Sequence, residues 1–187
     1  MPRTIGLRIK SGFAIAVVAS REAGLWRIEL RQEITLAPEE LPYGRFPYHP
    51  LIELQGAEAA ATSDRAIAAV RAIAKQQLSA FLRCVGDIDG ARIIVGSLID
   101  PAALSNPHIR VHAREGELFR TVVAGELSAA GIANRFLRDK ETYSLGAKEL
   151  SKKEAAFRAE VDRLGRGAVK PWRADEKLAT AGAVLAL

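Results

Sequence analysis

The first group in the sequence able to do chemistry is His108-Ile109-Arg110-Val111-His112-Ala113-Arg114-Glu115. On an α-helix, His108, His112 and Glu115 share one face. Two imidazoles one turn apart with a carboxylate suffice for a transition metal. The same stretch supports two other readings: packing or capping by the histidines, and an anion site that includes Arg110. It is not the H-E-x-x-H pattern of zinc proteases, because isoleucine follows His108. Lys170-Pro171-Trp172-Arg173 is a second candidate. Lys170 and Arg173 can hold a phosphate while the indole stacks on a base; alternatively, Trp172 anchors the start of the helix that follows. No phosphate-binding G-x-x-x-x-G-K-[ST] loop, G-x-G-x-x-G fingerprint or G-x-S-x-G elbow occurs.

These residues sit in a chain of 187 residues, a length that favours one domain. The formal charge of +5 makes a polyanion a reasonable partner. Many cations nevertheless stand beside acids, as in Lys152-Lys153-Glu154, so a merely solvated surface stays open as well. Cys84 is alone, which excludes an internal disulfide and a zinc site of several thiolates. Its expected place is the core, and the expected location of the protein is a reducing cytoplasm. The start MPRTIGLRIK lacks the apolar run of a signal peptide, and no stretch has the length of a membrane span, so no membrane association is expected.

The elements that must position the candidates follow from hydrophobic period. Thr4 to Ile9 and Phe13 to Ala19 read as strands around a Ser11-Gly12 turn, with a polar loop over 21–24. Leu25 to Leu36 alternates, placing Trp26, Ile28 and Leu30 on one face and Arg27, Glu29 and Arg31 on the other. An antiparallel meander with one wet face is expected. Residues 37–55 carry Pro38, Pro42, Pro47 and Pro50 among Tyr43, Phe46, Tyr48 and His49. Proline density forbids a regular helix there and leaves a loop, with an edge strand over Leu51 to Leu54. Its aromatics either stack on bases or pin the loop.

The period then becomes helical, from a cap at Thr62, Ser63 or Asp64 to Val85. Ala91 to Gly96 is a compact run of the kind found in a buried parallel strand. Asn106-Pro107 caps a helix reaching about Ala130, where Gly131 stops it. Ala133 to Leu137 is a further strand, and helices over Ala147 to Leu164 and Arg173 to Leu187 close the chain. The order β-β-β-α-β-α-β-α-α predicts an α/β fold: a mixed sheet, antiparallel meander first and parallel strands after, with helices on both faces.

That order resembles RuvC-like and YqgF-like members of the ribonuclease H-like superfamily. Ile5-Gly6-Leu7-Arg8-Ile9-Lys10-Ser11-Gly12 resembles their first strand, roughly I-G-I-D-x-G-S. Ile93-Ile94-Val95-Gly96-Ser97-Leu98-Ile99-Asp100 resembles the YqgF-type V-V-G-x-P loop, and Ala174-Asp175-Glu176-Lys177-Leu178-Ala179 resembles the last helix. The resemblance implies cleavage of nucleic-acid phosphodiesters with Mg2+ or Mn2+, held by carboxylates of the first strand, a middle strand and the final helix. Carried over by position, the first aspartate falls on Arg8 and the last on Asp175. The middle strand holds no acid, although Asp100 follows it closely.

An arginine at that position repels the cations that two-metal cleavage needs. It can instead grip a phosphate, with Lys10 and Ser11 beside it, or form an ion pair with Asp175. Three functions remain open. The first is a non-catalytic domain binding nucleic acid or another phosphate-bearing ligand, with Arg8, Lys10, Ser11, Arg110, Lys170 and Arg173 as its anion contacts. The second is an active nuclease with a relocated set of Asp100, Glu115 and Asp175, aided by His112. The third is an assembly module that binds a protein partner or forms a homo-oligomer.

Overall fold

The computed structural model describes residues 1–167 and 170–187. Strands β1 (Arg3–Lys10), β2 (Phe13–Glu22) and β3 (Leu25–Thr35) form the meander, and β4 (Gly90–Val95) and β5 (Asn134–Arg138) complete one five-stranded sheet ordered β3-β2-β1-β4-β5. The first three strands pair antiparallel, and β1, β4 and β5 run parallel. The mixed sheet matches the expected fold class. Residues 21 and 22, expected in a loop, extend β2, because Ala23 and Gly24 make a two-residue turn at φ 47° and 82°. Positive φ at both positions gives the turn the twist of the flanking strands.

The alternation expected along β3 breaks in the middle. A bulge shifts the register between Val18 and Ala19, which face Leu30 and Ile28. One extra residue reverses the side of everything beyond it. Leu30 and Ile34 therefore pack on one face of the sheet, while Trp26 and Ile28 contact the opposite one. The same reversal places Arg31 where it meets the final helix. The expected wet face of the meander is largely covered: β1 and β2 are buried on both sides.

Helices α2 (Gly56–Val85) and α3 (Pro107–Ala129) cover one face, burying Val70, Leu78, Phe81, Leu118 and Phe119 against Ile5, Leu7 and Ile93. Helices α4 (Thr142–Glu149), α5 (Glu154–Leu164) and α6 (Ala174–Val184) cover the other, with Phe157, Val161 and Val184 in a smaller core. The helix expected over 147–164 is thus two helices, parted where Ser151 takes φ 51°. Helix α2 begins at Gly56, ahead of the expected cap. Its first turns, GAEAAA, carry high helix propensity and no apolar stripe to reveal them. Ser63 lies inside this helix and donates its hydroxyl to Pro47 O at 2.7 Å.

Pro50 opens a single-turn helix, α1 (Pro50–Glu53), where an edge strand was expected; proline at the first helical position costs no hydrogen bond. The Pro-rich loop is pinned rather than free: Tyr48 packs on the main core and its ring lies 4.0 Å under the Arg114 guanidinium. Cys84 is exposed on α2, not in the core. Among the described residues no helix is long and apolar enough to cross a membrane.

Helix α6 packs closely on β1. A Cβ on Gly6 would stand 1.7 Å from Ala179 O and 2.5 Å from Ala183 N, both backbone atoms. Thr4 donates its hydroxyl to Ala183 O at 2.7 Å, so helix and strand meet nearly main chain to main chain. Gly6→Ala cannot be absorbed by a side-chain rotation, and it is expected to cost about 3 kcal/mol or more. Urea unfolding of this variant checks the value; a loss below about 1 kcal/mol would mean that α6 is free to move away.

Candidate functional site

Parallel strands bring their carboxyl ends to one edge of a sheet, where α/β folds commonly place ligands. Here that edge carries Arg8 and Lys10 from β1, Gly96 and Ser97 after β4, and Asp139 after β5. Arg8 lies on the face of β1 that α6 covers and is 7% exposed. Its Nη2 donates to Asp139 Oδ2 at 2.8 Å and its Nε to Asp175 Oδ1 at 3.2 Å. Lys10 Nζ approaches the second oxygen of Asp175 at 3.7 Å. Among the described residues Arg8 Nη1 is buried without a partner. The guanidinium thus bridges the two acids that border this edge.

Asp175 is held by its neighbour. Glu176, 3% exposed, accepts from Arg31 Nη2 at 2.6 Å and from the backbone N–H of Arg173 at 2.9 Å. This fixes the first turn of α6 to β3. Burial pushes the Glu176 carboxyl upward, but the hydrogen bonds from Arg31 and the Arg173 N–H outweigh it and hold the group below its ordinary value. Such a depressed carboxylate stabilises the fold fully above the ordinary glutamate range. The contribution is lost as pH falls through the depressed value.

An open pocket of about 290 Å3 lies beside Arg8. Among the described residues its lining includes Arg8, Lys10, Ser11, Ser97, Arg120 and His112 and no carboxylate residue. Arg120 is 8% exposed and reaches Glu117 at 3.3 Å. Sequence reasoning missed both Arg120 and Asp139. Arg120 reads as one more helical cation, and the position of Asp139 just past a strand end was its only signal.

His112 has a second set of neighbours. His108 Nε2 and His112 Nε2 are 3.2 Å apart, and His49 from the Pro-rich loop completes a cluster whose ligand atoms all lie within 4.8 Å of one another. These are all three histidines of the chain. Among the described residues they form the group of three or more metal-ligating side chains close enough to share an ion. Glu115, 1% exposed, accepts from His49 Nδ1 at 2.7 Å, and its second oxygen lies 3.3 Å from His112 Nδ1. The i, i+4, i+7 spacing brought His108, His112 and Glu115 together as expected. His49 was visible only as an aromatic of the loop.

The remaining candidates engage elsewhere. Asp100 accepts from Ala102 N at 2.8 Å and caps a single 3-10 turn. Arg110 donates to Leu104 O at 2.6 and 2.8 Å, closing the loop ahead of α3. Lys170 is exposed outside the pocket lining, and Arg173 caps α6. Trp172 packs against Gly165, where a Cβ would come within 1.9 Å of the indole nitrogen. Asp100, Glu115 and Asp175 therefore face three different partners.

No protein-family model matches the sequence, and no curated protein matches it. Solved structures do match. Thermus thermophilus RuvC superposes with a TM-score of 0.55 at 12% identity, covering 97% of this chain and 91% of that one. The fold is the ribonuclease H-like fold of RuvC. The same enzyme in complex with a Holliday junction substrate gives a TM-score of 0.53 at 16% identity, over 97% of this chain and 90% of that one. A yeast mitochondrial Holliday junction resolvase gives 0.48 at 12% identity, over 97% and 77%.

Two outcomes follow. Arg8→Asp would gather three carboxylates around one point. With Asp139 and Asp175 29% and 32% exposed, the expected loss is about 3 kcal/mol, at the low end for a broken buried pair, with recovery when Mg2+ or Mn2+ is added. Thermal unfolding with and without the ion reads both effects. Glu176→Gln is expected to cost about 2 kcal/mol at neutral pH. It should also flatten the fall in stability on acidification below the ordinary glutamate range, as measured by urea midpoints across pH.

Proposed function

We propose that this chain is a nucleic-acid-binding ribonuclease H-like domain that does not carry out two-metal phosphodiester cleavage. The observation that carries this reading is the Arg8 guanidinium, which occupies the space between Asp139 and Asp175 where the resemblance would have a cation-binding carboxylate. A unit charge about 4 Å from another costs or gains roughly 4 kcal/mol at an effective dielectric near 20. A divalent ion beside Arg8 would meet about twice that repulsion, and the two acids that could offset it are already engaged.

What opposes metal favours phosphate. Arg8, Lys10 and Arg120 line the pocket with the hydroxyls of Ser11 and Ser97, an array suited to charge-assisted hydrogen bonds. The structure of RuvC with a Holliday junction adds support by fold, and the carboxyl ends of parallel strands are where α/β sheets commonly place ligands. Lys170 and Arg173 precede Asp175 in sequence and would extend the cationic track.

Fluorescence anisotropy with four-way, duplex and single-stranded DNA at rising salt tests the proposal. Binding that weakens linearly in log salt is expected, with Lys10→Ala and Arg120→Ala each lowering the slope by about one. No binding at low salt would overturn the nucleic-acid reading. Cleavage supported by Mg2+ or Mn2+ and lost in Asp175→Ala would overturn the non-catalytic one. A rise in the unfolding midpoint with inorganic phosphate, without any DNA binding, would point to a phosphorylated small ligand.

A further inference from the structure

We propose that His49, His108 and His112 bind one Zn2+ ion, with Glu115 orienting two of the three imidazoles. The proposal concerns a site distinct from the Arg8–Asp139–Asp175 cluster and does not depend on nucleic-acid binding. Zinc bonds to imidazole nitrogen at about 2.0–2.1 Å, so two nitrogens on a tetrahedral ion lie about 3.3 Å apart. His108 Nε2 and His112 Nε2 are already 3.2 Å apart. The three ligand atoms lie within 4.8 Å, so a small inward movement of the exposed His108 side chain or the loop closes the set.

The tautomers point the same way. His49 Nδ1 faces one oxygen of Glu115 at 2.7 Å and His112 Nδ1 faces the other at 3.3 Å. At His49 this hydrogen bond fixes the proton on Nδ1 and leaves the Nε2 lone pair for a metal, and His112 Nδ1 would gain the same bond by a small turn of its ring toward the second oxygen. Glu115 is 1% exposed, and its Oε2 makes no hydrogen bond of good geometry. A glutamate so placed is costly unless it is compensated, and a cation held by the two imidazoles it faces supplies the compensation. Imidazoles suit zinc better than Mg2+, which prefers oxygen. Three nitrogens leave the fourth position of a tetrahedral ion to water or an anionic oxygen.

The ion would also join two separate parts of the chain. His49 sits at the end of the Pro-rich loop, and His108 and His112 lie on the first turns of α3. Since His112 also lines the Arg8 pocket, zinc binding would fix one wall of that pocket.

The test uses the whole chain stripped by a chelator, then titrated with Zn2+ against a chromophoric competitor and, separately, with Co2+. One equivalent of Zn2+ is expected, together with the visible absorption of tetrahedral Co2+ and a higher unfolding midpoint on adding zinc. His108→Ala and His112→Ala, both at exposed side chains, should each weaken binding at least about 100-fold and abolish the midpoint shift. Glu115→Gln should weaken it about 10- to 100-fold; if that variant does not fold, the two histidine variants still decide. Absence of binding at micromolar Zn2+ would overturn the proposal. So would binding unchanged in both histidine variants, or binding lost in Cys84→Ser, which would assign the ion to the exposed thiol.

Discussion

The near main-chain contact of α6 with β1 is the constraint on which the rest of the structure depends. A strand and a helix ordinarily stand a side chain apart. Here Gly6 has no side chain, and Ala179, Gly182 and Ala183 present little more to the sheet. The layer spacing is therefore set by backbone atoms, which cannot change rotamer. Two residues along β1 on the same face stands Arg8, and toward the start of the same helix stands Asp175. A long side chain opposite a closely held helix terminus must either meet its residues or clash with them. Arg8 meets them.

That meeting explains how a charged residue survives at 7% exposure. Burying a guanidinium is tolerated when carboxylates and hydrogen bonds replace its water. Asp175 comes from α6 and Asp139 from the end of β5, so the arginine draws together a helix on one face and a strand near the sheet's edge. Glu176 with Arg31 does the same work between α6 and β3. The two ion pairs brace the first turn of α6 from both sides. An acid at position 8 would leave that turn among like charges unless a metal stood between them. Arginine thus holds this geometry through ion pairs alone.

The elements marked by long periodic runs were legible in the sequence. The parallel strands, the Asn106 cap and the Gly131 stop all stand where composition and capping residues place them. What was not legible depends on partners far along the chain. The bulge at Val18 and Ala19 is set by pairing, and no single residue of β3 announces that Leu30 changes face. The alanine-rich start of α2 has helix propensity without amphipathic pattern, and the break at Ser151 divides a run whose apolar period continues on either side. Within the site, helical spacing sufficed to group His108, His112 and Glu115. His49 and Asp139 required the fold, since each arrives from a loop or strand end with no periodic relation to its partners.

The Pro-rich segment shows how these two kinds of information combine. Proline rules out regular structure but says nothing of where the loop lies, and its aromatics alone fit several roles. Its position is decided by buried polar contacts: Ser63 to Pro47 O, and Glu115 to both the Tyr48 N–H and the His49 ring. Glu115 is too deeply buried to be a surface acid, and every group it faces belongs either to this loop or to His112. Tyr48 and Arg114 add a cation–π contact at the same junction. The loop therefore packs against His112, which lines the Arg8 pocket. Whatever fixes or releases the loop acts on that pocket through His112, and the pairing of Arg8 with Asp139 and Asp175 can stay unchanged.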